Sequence, residues 1–577
     1  MNFCRYHRSI FLPAVVCSLL LFFLFIPPAN EAAELHFVTD TSLLLKKKIT
    51  EAGSPPKFMV RNTRLLAAEL LTDFYQRLDY RPVWTGHQGL LNRAEPFLEV
   101  ISRVSEEGLI PEHYHLSAIR SLLIDISAAR EKRTMNFSEM LTDLELLLSD
   151  SYLLLGCHFS AGCVDPVTLE TEWFIHRDEL DITSVFEKAL RENRIRDSLY
   201  SLLPSQDEYT KLKKYLKRYR EIAARGGWPL IPAGKKLEKG ISDGRVTLLK
   251  ERLLTGGYLS PGQMSAGKLF DSALEQAVIR FQRQHGLDAD GIVGRRTLKE
   301  LNVPAGDRAR QIELNMERLR WLSGNLGHRY IRVNIADYTL DVVETSRNIL
   351  HMKVVVGKPF WHTPVFSETM TYLVLNPQWN VPRSIAIDEV IPKIQTDPDY
   401  LVKENMKVIR GWGAEEEEID PATIAWADMN GETFKYRFRQ EPGPRNPLGT
   451  IKFMFPNRFG VYLHDTPSKR LFLRSVRSFS HGCIRLEKPL DLAEYLMKKD
   501  PKWTRDQIVS EIRKGETREV RLPEPVTVHI LYLTAWVDEG GLLHFRDDVY
   551  GRDAELDQAM KKFPVKSHPE QKTGEKG

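Results

Sequence analysis

The hydrophobic period of this 577-residue chain changes partway along, and that change rules out a single uniform fold. Through 62–225 apolar residues recur three to four apart. Leu65, Leu66, Leu70, Leu71 and Phe74 do so in one stretch, and Leu141, Leu144, Leu148 and Leu153 in another. That spacing lines one face of a helix. From about residue 331 the pattern becomes short β-rich runs divided by turn residues, at 331–335, 340–343, 352–356, 370–375, 434–438, 451–455, 461–463 and 526–533. A chain this long exceeds one hydrophobic core, so the sequence predicts a multidomain α+β protein, helical first and β-rich after. The 81 basic residues nearly cancel the 77 acidic ones, which argues against a dedicated nucleic-acid binder.

The first residues differ from all that follow. Arg5, His7 and Arg8 precede an apolar run over 10–26, followed by Pro27, Pro28 and the small residues Ala29, Ala32 and Ala33. A basic start, a short apolar core and a small-residue exit describe a secretory signal over 1–33, either cleaved or kept as an anchor. The protein is thus expected in the cell envelope, touching membrane only through that segment. Cys4 and Cys17 fall inside it, leaving Cys157, Cys163 and Cys483. Cys157 and Cys163 either pair across a short loop or stay free, so Cys483 is the odd thiol, and in an exported protein that calls for a chemical explanation. His113 and His115 alone are too little for a metal, and no cluster has zinc spacing. No metal or organic cofactor is expected.

The helical scaffold is expected over 34–239 and a separate unit over 240–303. In that unit Val246, Leu249 and Leu253 form one stripe, and Leu274, Ala277, Val278 and Phe281 a second. A tight turn at Gly291-Ile292-Val293-Gly294 leads to a third short helix through Leu298 and Leu301. A linker helix follows over 304–328. The β-rich domain is expected over 329–540, interrupted at 384–431 by a segment with Trp412 and Trp426 that reads as a lid. An extension over 541–577 ends in a charged, disordered tail.

The residues with chemistry are Val461-Tyr462-Leu463-His464-Asp465 and Ser480-His481-Gly482-Cys483-Ile484-Arg485. A thiol nucleophile needs a base or cation beside it. The base needs its second ring nitrogen held by an acceptor, and the acyl oxygen needs donors aimed at its developing charge. His464 at a strand end suits the base, the Asp465 carbonyl suits its acceptor, and Gly482 lets backbone amides approach a substrate closely.

Tyr462-x-His464-Asp465-Thr466 followed by Ser480-His481-Gly482-Cys483-Ile484-Arg485 resembles the L,D-transpeptidase catalytic domain of YkuD type. The run from Ala277 to Leu301, with Phe281-Gln282, Gly286-Leu287, Asp290–Gly294 and Thr297, resembles a three-helix peptidoglycan-binding domain; a plain spacer is the other reading of that unit. Gly551-Arg552-Asp553 resembles the larger periplasmic members that add a helical scaffold. The resemblance implies Cys483 as nucleophile and His464 as base, oriented by the backbone carbonyl of Asp465. It implies Tyr462 with backbone groups at Gly482 and Cys483 around the oxyanion. Arg485 stands for either a substrate-carboxylate contact or a loop-supporting salt bridge, Trp426 for a lid contact to substrate, and His481 stays outside the pair. The implied partners are peptidoglycan, as donor and acceptor stem peptides, and carbapenem-type β-lactams as covalent inhibitors. The implied reaction releases D-Ala from a tetrapeptide stem through a thioester and forms 3-3 cross-links. A cysteine carboxypeptidase of the wall, or a wall-binding protein without catalysis, are the alternatives.

Overall fold

The computed structural model describes residues 29–132, 136–169, 173–174, 180–322 and 326–562, so the signal segment read at 1–33 lies outside the described residues as far as 28, and the tail lies outside them from 563. The scaffold is organised around helix Phe137–Ala161, which is buried without interruption from Met140 through Gly156. A helix enclosed on every side must satisfy its own polar side chains. Glu145 accepts from the amides of Val83 and Trp84 and from the hydroxyls of Thr85 and Tyr75. Asp150 accepts from the amides of Leu66 and Ala67 and holds His115 Nε2 at 2.7 Å. Two carboxylates thereby pin the surrounding turns to the central helix, and His115 is committed to this packing. Cys157 and Cys163 are both free thiols.

The helix Ala305–Arg320 joins scaffold to β domain. Its Glu317 and Arg320 are fully buried and paired at 2.7 Å. Arg320 also donates to the Glu107 carbonyl and the Tyr209 hydroxyl, and Glu317 accepts from the Val164 amide. Removing one partner of such a pair would cost about 3–5 kcal/mol by stranding the other charge. One apolar core runs continuously through scaffold and β domain, so the two are fused rather than tethered.

The β domain is a closed barrel of β1 (Arg329–Asn334), β2 (Thr339–Glu344), β3 (Arg347–Gly357), β4 (Val365–Leu375), β5 (Ile451–Met454), β6 (Leu463–His464), β8 (Ile484–Leu486) and β9 (Arg518–Leu531), with the short β7 (Ser478–Ser480) beside β3. Neighbours run β5-β6-β8-β3-β2-β1-β9-β4, and β4 pairs back onto β5. β4 and β9 are longer than their apolar runs because they pair with each other on both sides of a register shift. The scaffold strand Trp173–Phe174 pairs with the start of β4.

The run at 434–438, expected among the barrel strands, instead enters the insertion. Strands Trp379–Asn380, Arg437–Gln440, Met406–Arg410 and Glu417–Ile419 form a separate sheet with its own apolar core, which includes Val390, Ile394, Val408, Phe434 and Phe438. The insertion is therefore a small folded subdomain reaching beyond 384–431 on both sides, because its outer strands lie outside those limits.

The three-helix unit comprises Arg245–Gly256, Ser272–Gln284 and Arg295–Leu301 around a core of its own. Gln282 explains its turn. Its Oε1 accepts from the Gly291 amide, and its Nε2 donates to Asp290 and to the Ile292 carbonyl. Gly291 has φ +76°, which a side chain would strain. His285 stacks on Phe281 at 3.8 Å and faces Phe545, while Arg546 donates to the Gln284 carbonyl. These contacts seat the unit against the segment that follows the barrel.

Candidate active site

Alternation along three short strands builds the site. Ile451, Phe453, Leu463, Ile484 and Leu486 have no exposed surface and fill the barrel. Alternate residues on a strand point to opposite faces, so Lys452, Tyr462, His464, Cys483 and Arg485 share the outer face. In the register Lys452 pairs with His464 and His464 with Arg485. Cys483 precedes β8, and the amide of the next residue, Ile484, donates to the Tyr462 carbonyl.

His464 is buried, and its Nδ1 lies 2.5 Å from the Asp465 carbonyl. A carbonyl only accepts, so Nδ1 carries the proton and Nε2 is left as the acceptor. The Asp465 carboxylate is occupied elsewhere. It takes the Thr450 amide and hydroxyl, the Thr466 amide and Lys469 Nζ. The contact to His464 thus comes from the main chain of Asp465 and not from its carboxylate.

The thiol of Cys483 lies beside Tyr462 and faces the Gly460 carbonyl at 3.9 Å. Burial raises the Cys483 pKa, against the lowering influence of the neighbouring Tyr462 and of the Lys452 and Arg485 charges. Burial, then the Arg485 charge, drives His464 down to about 3. Both groups are accordingly neutral at neutral pH. The cations that a resting thiolate would need are present, but desolvation outweighs them.

Gly482 has φ +111°, and its carbonyl accepts from the Thr363 hydroxyl at 2.8 Å, while the Gly357 amide donates to Thr363 at 3.0 Å. Its amide donates to Ser480 Oγ at 3.2 Å, so it is not free to face an oxyanion as expected. The Cys483 amide makes no hydrogen bond among the described residues and remains available.

Trp426 is partly buried against the core of the insertion. Its indole N–H donates to the Pro421 carbonyl and its ring stacks on Phe438, because the insertion has an apolar centre that the sequence reading lacked. Arg485 forms no salt bridge among the described residues, so nothing there supports the loop-bracing reading.

Several neighbours escaped the sequence reading. Glu389, in the insertion, lies 2.8 Å from Nε2 of His481, which stands two residues before Cys483. Trp361 packs on the other side of His481 at 4.1 Å, with Lys358 over its ring. Tyr550 donates to the Gly357 carbonyl and Arg552 to that of Thr363, so the segment after the barrel braces the Gly482 turn. Contacts spanning some hundred residues leave no mark in a linear pattern. Lys452 did leave one, in the alternation Ile451-Lys452-Phe453-Met454.

Three family models match the chain: a scaffold domain over 69–216, a "Putative peptidoglycan binding domain" over 242–301 and an L,D-transpeptidase catalytic domain over 328–508. A Haemophilus influenzae protein named "Putative L,D-transpeptidase" is 34% identical over 265 residues, 46% of this chain and 51% of the relative. The chain thus spans about half the length of that curated relative. A solved L,D-transpeptidase from Xylanimonas cellulosilytica is 15% identical over 52% of this chain and 99% of its own, with a TM-score of 0.17. One from Mycobacterium smegmatis is 16% identical over 36% and 60%, also with a TM-score of 0.17. Scores that low carry no weight here. The two stretches singled out in the sequence both lie within the matched catalytic region, and the chain carries a YkuD-type L,D-transpeptidase catalytic domain together with a helical scaffold and a peptidoglycan-binding domain.

Proposed function

We propose that the protein is an exported cysteine acyltransferase that cross-links peptidoglycan, using Cys483 as nucleophile and His464 as base. The supporting observation is the shared outer face of β6 and β8, where the thiol stands beside Tyr462 and the Asp465 carbonyl fixes the tautomer of His464. The thiol attacks the carbonyl of the third residue of a tetrapeptide stem. Its proton passes to His464 Nε2, and the Cys483 amide and Tyr462 hydroxyl receive the developing oxyanion. Collapse breaks the amide bond; His464 returns the proton to the departing nitrogen, releasing D-Ala and leaving a thioester. An amine of a second stem attacks the thioester, His464 takes its proton and the thiol is regenerated.

Transfer rather than hydrolysis requires an acceptor held close and water kept out. The peptidoglycan-binding unit, seated against the segment after the barrel, raises local acceptor concentration. The insertion, linked to the site by Glu389 and His481, serves as the lid. The test is incubation with a disaccharide-tetrapeptide and analysis of products by mass spectrometry. The expected product is a dimer joined between third residues, with free D-Ala released. Predominance of the tripeptide, even at high acceptor concentration, would assign a carboxypeptidase instead.

A further inference from the structure

We propose that Lys452 and Arg485 form a two-cation site for the C-terminal carboxylate of the donor peptide, the group that departs with the leaving amine. This rests on the acyl-transfer reading above.

The two cations flank one residue. β5 places Lys452 opposite His464 and β8 places Arg485 beside it on the other side. Paired residues on adjacent strands project from one face. With strands about 4.8 Å apart, the two stems leave the sheet roughly 10 Å apart with His464 between them. Cys483 lies two residues before Arg485, on that same face. Lys452 Nζ stands 3.8 Å from the centroid of the Tyr462 ring.

Neither cation has a counter-charge. Among the described residues no carboxylate pairs with Lys452 or Arg485, and Arg485 Nε is buried without a partner. Of the other enclosed arginines, Arg308, Arg318 and Arg332 pair with carboxylates, and Arg252 and Arg477 donate to main-chain carbonyls. Two half-buried charges left open beside the nucleophile are costly to the fold unless an anion arrives to meet them. Stabilising a resting thiolate does not account for them, because burial keeps Cys483 above its usual pKa despite both.

Geometry selects the anion. When the last amide bond of a peptide reacts at Sγ, the terminal carboxylate sits on the carbon bonded to the departing nitrogen. It must then lie within one residue, about 3.8 Å along the chain, of the reacting centre. Charge-assisted bonds from an ammonium and a guanidinium suit a carboxylate there.

The full chain is offered a disaccharide-tetrapeptide as the free acid, as its C-terminal amide, and as a peptide amidated only on its side-chain carboxylates. Acylation of Cys483 is followed by intact mass. The wild type should prefer the free acid over the C-terminal amide by about tenfold to a hundredfold for each charged contact, and should accept the side-chain amide normally. Lys452→Met and Arg485→Met, with circular dichroism confirming their fold, should each bring the preference down, and together close to one. Equal acylation of acid and C-terminal amide by the wild type overturns the proposal without any variant. So does slowing by side-chain amidation alone, which would place recognition on the stem. Variants that slow both peptides in proportion, and displace the pH profile of Cys483 alkylation, overturn it by assigning the cations to the thiolate. If no peptide acylates Cys483 while iodoacetamide alkylates it in alkaline solution, the acyl-transfer reading fails and the carboxylate site with it.

Discussion

Replacing His464 with Gln should make the fold less sensitive to acid, by an amount the structure sets. The ring is 4% exposed and its pKa is driven down to about 3, first by burial and then by the Arg485 charge. In the unfolded chain an imidazole titrates near 6.5. Between those two values the unfolded state binds a proton that the folded state refuses, so stability falls as pH falls. The slope is about 1.4 kcal/mol per pH unit for one such group. At pH 5 the loss is about 2 kcal/mol, and near pH 7 it is close to zero. His158, driven by burial to about 3, and His285, also pushed down, act in the same direction. Glu145 and Glu208, raised by burial, act in the opposite one. The useful quantity is therefore the difference between wild type and variant. Urea unfolding at several pH values, with constant m, would measure it. The variant should be the less stable near neutrality, where it loses the bond to Asp465, and the gap should narrow by about 2 kcal/mol on going to pH 5. A gap independent of pH would refute a buried neutral imidazole at this position.

Cys483→Ala should abolish acyl transfer without unfolding the protein. A carbapenem-type β-lactam should add one drug mass to the wild type and none to the variant. Thr363→Val removes the bonds to Gly357 and Gly482 and should cost about 1–3 kcal/mol while slowing acylation; an unchanged rate would show that the Gly482 turn stands without it. Glu389→Gln should increase hydrogen exchange in the insertion around Ala386–Val390, and acylation of the wild type should decrease it. Equal exchange in all three states would make the insertion a static decoration. Deleting 240–303 should reduce retention on insoluble sacculi, and undiminished pull-down of a folded deletion protein would leave that unit a spacer.

The site was legible where chemistry and chain neighbourhood coincide. His464 and Asp465 are adjacent, and Ser480 through Arg485 form one turn, so a linear reading reaches them. The barrel strands were legible where a strand's own alternation marks it, and illegible where partners define it. β9 begins at Arg518 with Arg518-Glu519-Val520-Arg521, too polar to read as a strand, and is held by its pairing with β4. The run at 434–438 shows the converse. Its apolar residues announce a strand correctly but do not say which sheet it joins, and Phe434 and Phe438 fill a core that only the fold assembles. Gly482 was read for its freedom of approach. Its φ is positive, and its amide is taken by the Ser480 hydroxyl, a bond that depends on that side chain turning inward.

On the proposed mechanism, the neutral state of the pair is more than a resting detail. Burial raises Cys483 and lowers His464, so moving the proton from one to the other before attack is opposed at both ends. Lys452 and Arg485 ease the thiol side of that transfer while burdening the imidazole side, since their charges also push His464 down. An anion between them would reverse both influences: His464 becomes the stronger base and the thiol the weaker acid. The proton then moves most readily during attack, when negative charge passes from sulfur to the acyl oxygen and its waiting donors. Such a thiol should be nearly inert to iodoacetamide at neutral pH in the absence of peptide, with alkylation rising only as the solution becomes alkaline. A rate already at its plateau near neutrality would mean a preformed thiolate, and would require Cys483 to be far better stabilised as an anion than its burial allows.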